Sequence, residues 1–208
     1  MIKIKTLLLT SLLLLLNFQI QAFELDKSRA EFDIKFGGWS HHFKNKKYEE
    51  EYKNNQGHYY SYNENHTGLG FEVNIPFYHS NHFLRSGIWY MKDSYDFNSI
   101  HLGVGYKYRM PLQFIHSIDY SLDLVYASRG VMSIEYEYKD NNFDHLFSHF
   151  YTERENVFFP MPQVTFNITK RFHVDFIGTI SRKLYYNQYR EENKFWNTVL
   201  FVRMGVKF

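Results

Sequence analysis

Between residues 117 and 129 apolar side chains recur at every second position. Ile118, Tyr120, Leu122, Leu124 and Tyr126 form one stripe, opposed by Asp119, Ser121, Asp123, Val125 and Ala127. A period of two puts these sets on opposite faces of a β-strand. The same alternation runs through approximately 30 to 42, 67 to 77, 83 to 93, 98 to 109, 159 to 169, 172 to 183 and 195 to 208, so eight strands are expected. Their connections alternate in length. "YHSNH", "PLQFIHS" and "KR" fall on one side, and residues 43 to 66, 130 to 158 and 184 to 194 on the other. Short periplasmic turns opposite long external loops are the pattern of an outer-membrane barrel. The expected fold is all-β, an eight-stranded antiparallel transmembrane β-barrel.

The strand faces say which side meets lipid. In the last strand Leu200, Val202, Met204, Val206 and Phe208 oppose Val199, Phe201, Arg203, Gly205 and Lys207. In the seventh, Phe172, Val174, Phe176 and Ile180 oppose His173, Asp175, Ile177 and Thr179. A soluble, lipocalin-like barrel would turn the apolar stripe inward, and lipid against that stripe is the cheaper assignment. Aromatic residues make up 20% of the chain while mean hydropathy is only -0.47, as alternating lipid-facing and interior positions would give.

Residues 1 to 22 read as a signal peptide: "MIKIK" is basic, "TLLLTSLLLLL" is apolar but too short to span a bilayer as a helix, and "QIQA" suits cleavage after Ala22. The barrel domain is then 23 to 208. Without Lys3 and Lys5 the basic and acidic residues balance, so nucleic acid is not an expected partner. Cysteine is absent, which rules out a disulfide framework and a cysteine metal site.

The presumed interior changes character along the barrel. Asp119, Asp123, His173, Asp175, Arg203 and Lys207 lie towards the short turns, and Val125, Ala127, Ile177, Val199 and Phe201 towards the long loops. Eight strands are too few for a water-filled pore. An interior apolar at its external end suits either a hydrocarbon chain or a packed plug of side chains. The stretch "WYMKDSYDF" adds Asp93 and Ser94 at the external rim, where a short turn replaces a long loop. An Asp-Ser pair at a strand end is also ordinary turn chemistry.

At this point the chain resembles the outer-membrane lipid A palmitoyltransferase (PagP) family. The resemblance rests on "GWSHHF" at 38 to 43, "YNENHTGLGFEV" at 62 to 73, "GIWYMKDSYDFNSIHLGVGYKY" at 87 to 108, "FFPMPQVTFNITKRFHVDFIGTIS" at 158 to 181 and the terminal "FVRMGVKF". It implies transfer of a palmitoyl chain from a phospholipid donor to lipid A or another outer-leaflet acceptor. The catalytic residues it implies are Asp93, Ser94 and a histidine, which is His42 judged by the following Phe43. His41 is the alternative, because parity from Phe32, Ile34 and Phe36 would turn it inward. The resemblance also places Gly105 on the floor of an acyl-chain pocket, with Gly103 no more than a glycine easing curvature. Pro160 and Pro162 are implied to mark lateral access for lipid, a match better than Pro76 or Pro111. The chain departs from the family in two ways: "FELDKSRA" leaves no room for an amphipathic helix before the first strand, and 130 to 158 is an unusually long external loop.

Such a transfer needs a base and a means of stabilising an oxyanion. A near-neutral imidazole suits the first task, Asp93 could orient the ring, and Ser94 could be nucleophile or oxyanion donor. Several other features carry less. His145 and His149 are four apart, but "HLFSH" lacks the glutamate of a zinc-hydrolase helix; "NHT" and "NIT" match a glycosylation pattern in a bacterial context; "KNKKYEEEYK" is a solvated charge run. No cofactor or metal is expected, and the protein is expected to be a monomer in the outer membrane. The competing function is a non-enzymatic barrel with an adhesive or envelope-structural role. A lipid A deacylase would be expected to carry His-x-Ser near its C-terminus, and no such motif follows residue 150.

Overall fold

The structure, a computed structural model, describes residues 24–43, 63–138, 146–186 and 192–208. The expected signal peptide lies outside these residues. A 3-10 turn, Lys27–Arg29, leads into eight strands: β1 (Glu31–Phe43), β2 (Gly68–Pro76), β3 (His82–Lys92), β4 (Asn98–Pro111), β5 (Ser117–Tyr138), β6 (Leu146–Asn167), β7 (Phe172–Tyr186) and β8 (Glu192–Lys207). Each is antiparallel to its neighbours in sequence, and β1 pairs with β8 to close the barrel. Closure gives every strand a paired neighbour on both sides over its lower part, which is what a strand structure in lipid requires.

The stripes divide as lipid demands. Phe71, Ile88, Leu102, Val104, Leu122 and Leu124 are exposed on the outer surface, while Asp119, Ser121, Asp123 and Val125 are buried inside. The lower interior is filled by ion pairs. Arg109 donates to Glu31 at 2.5 and 2.8 Å and to Asp119 at 3.0 Å, and Lys207 lies 3.1 Å from Glu31. One layer higher, Arg85 donates to Glu72 at 2.6 Å, Arg203 to Asp175 at 2.8 Å, and Lys35 to Asp175 at 3.0 Å. Buried charge is tolerated only when paired and hydrogen-bonded, and Gln163 and Ser121 accept further bonds from Arg85. This half of the barrel is a polar plug.

One expectation is corrected here. Residues 130 to 158 are largely strand rather than loop: β5 and β6 continue in register from Gly130↔Arg154 to Tyr138↔Leu146. The β4–β5 ladder stops at Ile100↔Ser128, and the edge of β5 left free above it pairs in parallel with β7, Ser133↔Leu184 to Glu135↔Tyr186. The extended hairpin therefore leans across the external mouth to reach a strand two places away. Val131, Ile134, Tyr136 and Tyr138 in one arm and Tyr151 and Val157 in the other suit this extension, but charged residues between them hide the period.

Candidate functional site

Above the plug the barrel holds a cavity of about 110 Å³. Its walls are largely apolar: Trp89, Met91, Ile177 and Phe201 form one packed cluster, and Val125 and Phe159 belong to another, packed with Met161 and, behind the lining, Ala127; His101, Arg129 and Thr179 add polar groups. Gly103 lies at its base with Arg85, Glu72 and Asp123, and His42, Ser94, Ser40 and His66 stand around its upper part. On β5 the distance from Gly130 at the top to Asp123 at the bottom is seven residues, about 23 Å along a strand at about 3.3 Å per residue. The shape is a deep apolar well with a polar mouth and a charged floor.

The mouth is set by a bulge in β1. The β1–β8 register passes from Phe36↔Met204 to Trp39↔Val202, so β1 spends one residue more than its partner. Gly37 sits there at φ 68°, a conformation glycine adopts without steric cost. The extra residue inverts the parity of everything after it. Lys35 and Ser40 both face inward, and so does His42, at 2% exposure. His41 points outward, 48% exposed, with its ring against Trp39 and Phe43. Of the two histidines left open by the sequence, His42 is the interior one. Its Nε2 lies 2.8 Å from Ser94 Oγ.

Asp93 is beside this pair, but its carboxylate serves the backbone. One oxygen accepts from Tyr95 N–H at 2.9 Å and Phe97 N–H at 3.0 Å; the other accepts from Gly130 N–H at 2.6 Å. Asp93 thus pins the β3–β4 turn and ties it to β5. The rigidity of Ser94 follows from that tie, reinforced by Asn63 N–H donating to the Ser94 carbonyl at 2.9 Å.

His66, absent from the residues singled out in the sequence, is a second imidazole at the mouth. Its Nδ1 lies 2.7 Å from the Lys92 carbonyl and its Nε2 2.8 Å from Ser40 Oγ. A carbonyl only accepts, so Nδ1 carries the proton; in the neutral ring Nε2 then accepts from the Ser40 hydroxyl. Burial holds the ring below its ordinary pKa, against the opposing pull of the Lys92 carbonyl and Asp93. The "NENH" segment gave a hint, since a histidine next to turn-forming Asn residues in an external loop has few structural duties.

Gly105 is not among the residues lining the cavity, and Gly103 takes its place. A Cβ on Gly105 would collide with the Asp123 side chain and the Leu122 carbonyl, so this glycine permits close approach of β4 and β5. A Cβ on Gly103 would meet only Val125 Cγ2 at 3.4 Å and Asp123 Cβ at 3.9 Å. The side chain that can intrude on the well is therefore at 103.

Pro160 and Pro162 mark a break in the pairing of the wall. The β6–β7 ladder runs only from Asn167↔His173 to Gln163↔Ile177, while β5–β6 and β7–β8 continue far above that level. Both prolines pair with β5, at Leu124↔Pro160 and Leu122↔Pro162, and share one parity. A proline fits a ladder where its missing N–H points away from the partner, here towards β7. Above Gln163 the described residues of β6 and β7 form no ladder pairs, and this seam lies beside Met161 and Thr179 of the cavity. No group of residues suited to hold a metal ion occurs among the described residues.

No family model matches the chain, and no curated protein does. Among solved structures it is similar to the N-terminal β-barrel domain of Pseudomonas aeruginosa OprF, at 7% identity with a TM-score of 0.40. It is also similar to Ail, the attachment invasion locus protein of Yersinia pestis, at 9% identity with a TM-score of 0.41. Each alignment covers 86% of this chain and 97% of the other. The apolar outer surface around a charge-filled interior makes the chain an eight-stranded transmembrane β-barrel of the outer-membrane type.

Proposed function

We propose that the protein is an acyltransferase that moves a palmitoyl chain from a phospholipid to lipid A. The observation that carries this reading is the 2.8 Å pairing of His42 Nε2 with Ser94 Oγ at the mouth of an apolar well. A phospholipid reaches the well through the β6–β7 seam, its acyl chain lies against Trp89, Val125, Phe159 and Phe201, and its ester carbonyl rests at the mouth. The charged floor stops the chain end, because methylene groups gain nothing by displacing paired ions. His42, with the Ser94 hydroxyl, draws the proton from the attacking hydroxyl. Asp93 acts as a positioning residue by holding the turn that carries Ser94.

The test is mass spectrometry of lipid A from cells with the intact protein, with Ser94→Ala and without either, with barrel folding checked by heat-modifiable gel migration. A palmitate-sized gain that needs Ser94 supports the reading. Unchanged lipid A beside a folded barrel overturns it in favour of a non-enzymatic barrel.

A further inference from the structure

Resting on the transferase reading, we infer that Ser40 is a nucleophile, activated by His66, that carries the acyl chain as a covalent ester between donor and acceptor. Ser40 Oγ lies 2.8 Å from His66 Nε2, and the opposite ring nitrogen is held 2.7 Å from the Lys92 carbonyl. A nucleophile within reach of a base that is itself oriented by a third group is the arrangement of covalent catalysis. Both side chains line the well, at 1% and 4% exposure. Burial keeps the ring neutral, so its Nε2 lone pair is free to take the serine proton. Ser40 is one inward position below His42 on β1, about 6.6 Å at about 3.3 Å per residue. A carbonyl on Ser40 is therefore close to an acceptor hydroxyl held by His42.

The two pairs divide the reaction. Ser40 Oγ attacks the ester carbonyl of the phospholipid while His66 takes its proton. The bond to the glycerol oxygen breaks and His66 returns the proton to that oxygen, leaving a lysophospholipid and acyl-Ser40. The acceptor hydroxyl, losing its proton to His42, attacks the acyl-Ser40 carbonyl; the bond to Ser40 Oγ breaks, and the proton held by His42 passes to Ser40 Oγ, which restores both residues. Atoms balance without any oxidant, reductant or metal.

The chain has no cysteine, so Ser40→Cys places a single thiol in the protein. The folded Ser40→Cys barrel is incubated with phosphatidylethanolamine vesicles and weighed intact, before and after neutral hydroxylamine. In parallel the wild-type barrel is treated with a long-chain p-nitrophenyl alkylphosphonate and the adduct located by peptide mass spectrometry. The expected results are a hydroxylamine-sensitive acyl adduct on the Ser40→Cys variant and a phosphonate on Ser40 that is lost in Ser40→Ala but kept in Ser94→Ala. A phosphonate on Ser94, or no adduct by either route, overturns the proposal and leaves Ser40 as a tie between β1 and His66. If lipid A still gains its chain in that case, the acyl group passes directly to the acceptor and the transferase reading stands. If lipid A is also unchanged, both fall.

Discussion

His42 and Ser94, 52 residues apart in the chain, meet at 2.8 Å because one extra residue at Gly37 turns His42 inward. Replacing His42 with Ala is expected to lower acyl transfer about 10²- to 10⁴-fold, the usual contribution of a positioned base, while His41→Ala leaves it unchanged. Gly37→Ala is expected to cost about 1 kcal/mol of barrel stability, because alanine at φ 68° clashes with its own carbonyl. Transfer assays and urea melts in detergent micelles separate the two effects.

Asp93 and Ser94 are expected to fail differently. Ser94→Ala removes a hydroxyl at the mouth, so activity falls while the melting midpoint stays put. Asp93→Ala strips three N–H groups, two of them buried, of a charged acceptor, each bond being worth about 1.5–3 kcal/mol. Activity and stability should therefore fall together, and equal midpoints for the two variants would remove Asp93 from its positioning role.

Chain-length selection is expected to answer to position 103. Gly103→Met fills the base of the well and should shift transfer from palmitate to a shorter acyl chain, read from the lipid A mass gain. Gly105→Ala should lower stability without changing chain length, because its Cβ meets the backbone of β5 rather than the cavity.

The seam between β6 and β7 can be closed covalently. A Cβ on Gly178 would stand 3.4 Å from Pro162 Cγ, so cysteines at 162 and 178 sit across the first unpaired rung. With no other cysteine to compete, the oxidised pair is expected to block transfer and reductant to restore it. Full activity in the oxidised protein would show that donor lipid arrives by another route.

His66 gives a pH dependence of defined sign. Its folded pKa is lowered by burial, so its contribution to stability is fully present above the unfolded value of about 6.5. As pH falls below that, the unfolded chain binds a proton that the buried ring refuses, and the contribution is lost as pH drops through the folded pKa. Urea melts from pH 8 to pH 5 should show this slope, and His66→Gln should remove it.

The alternation in 117–129 and its seven counterparts determined the strands, their order and the lipid-facing side, because a period of two combined with a bilayer admits few other solutions. Asp119, Asp123, Asp175 and Arg203 were legible as interior charge for the same reason. Placement within that frame was decided by interactions between strands. The bulge at Gly37 chose His42 over His41, since local parity carries no record of an inserted residue. Register between β4 and β5 put Gly103 in the well and Gly105 against Asp123, although both glycines share one face of β4. The meeting of Ser40 with His66, 26 residues apart, and the docking of the β5–β6 hairpin on β7 through Ser133↔Leu184 depend on pairings distant in the chain, where only the closed barrel sets the distance.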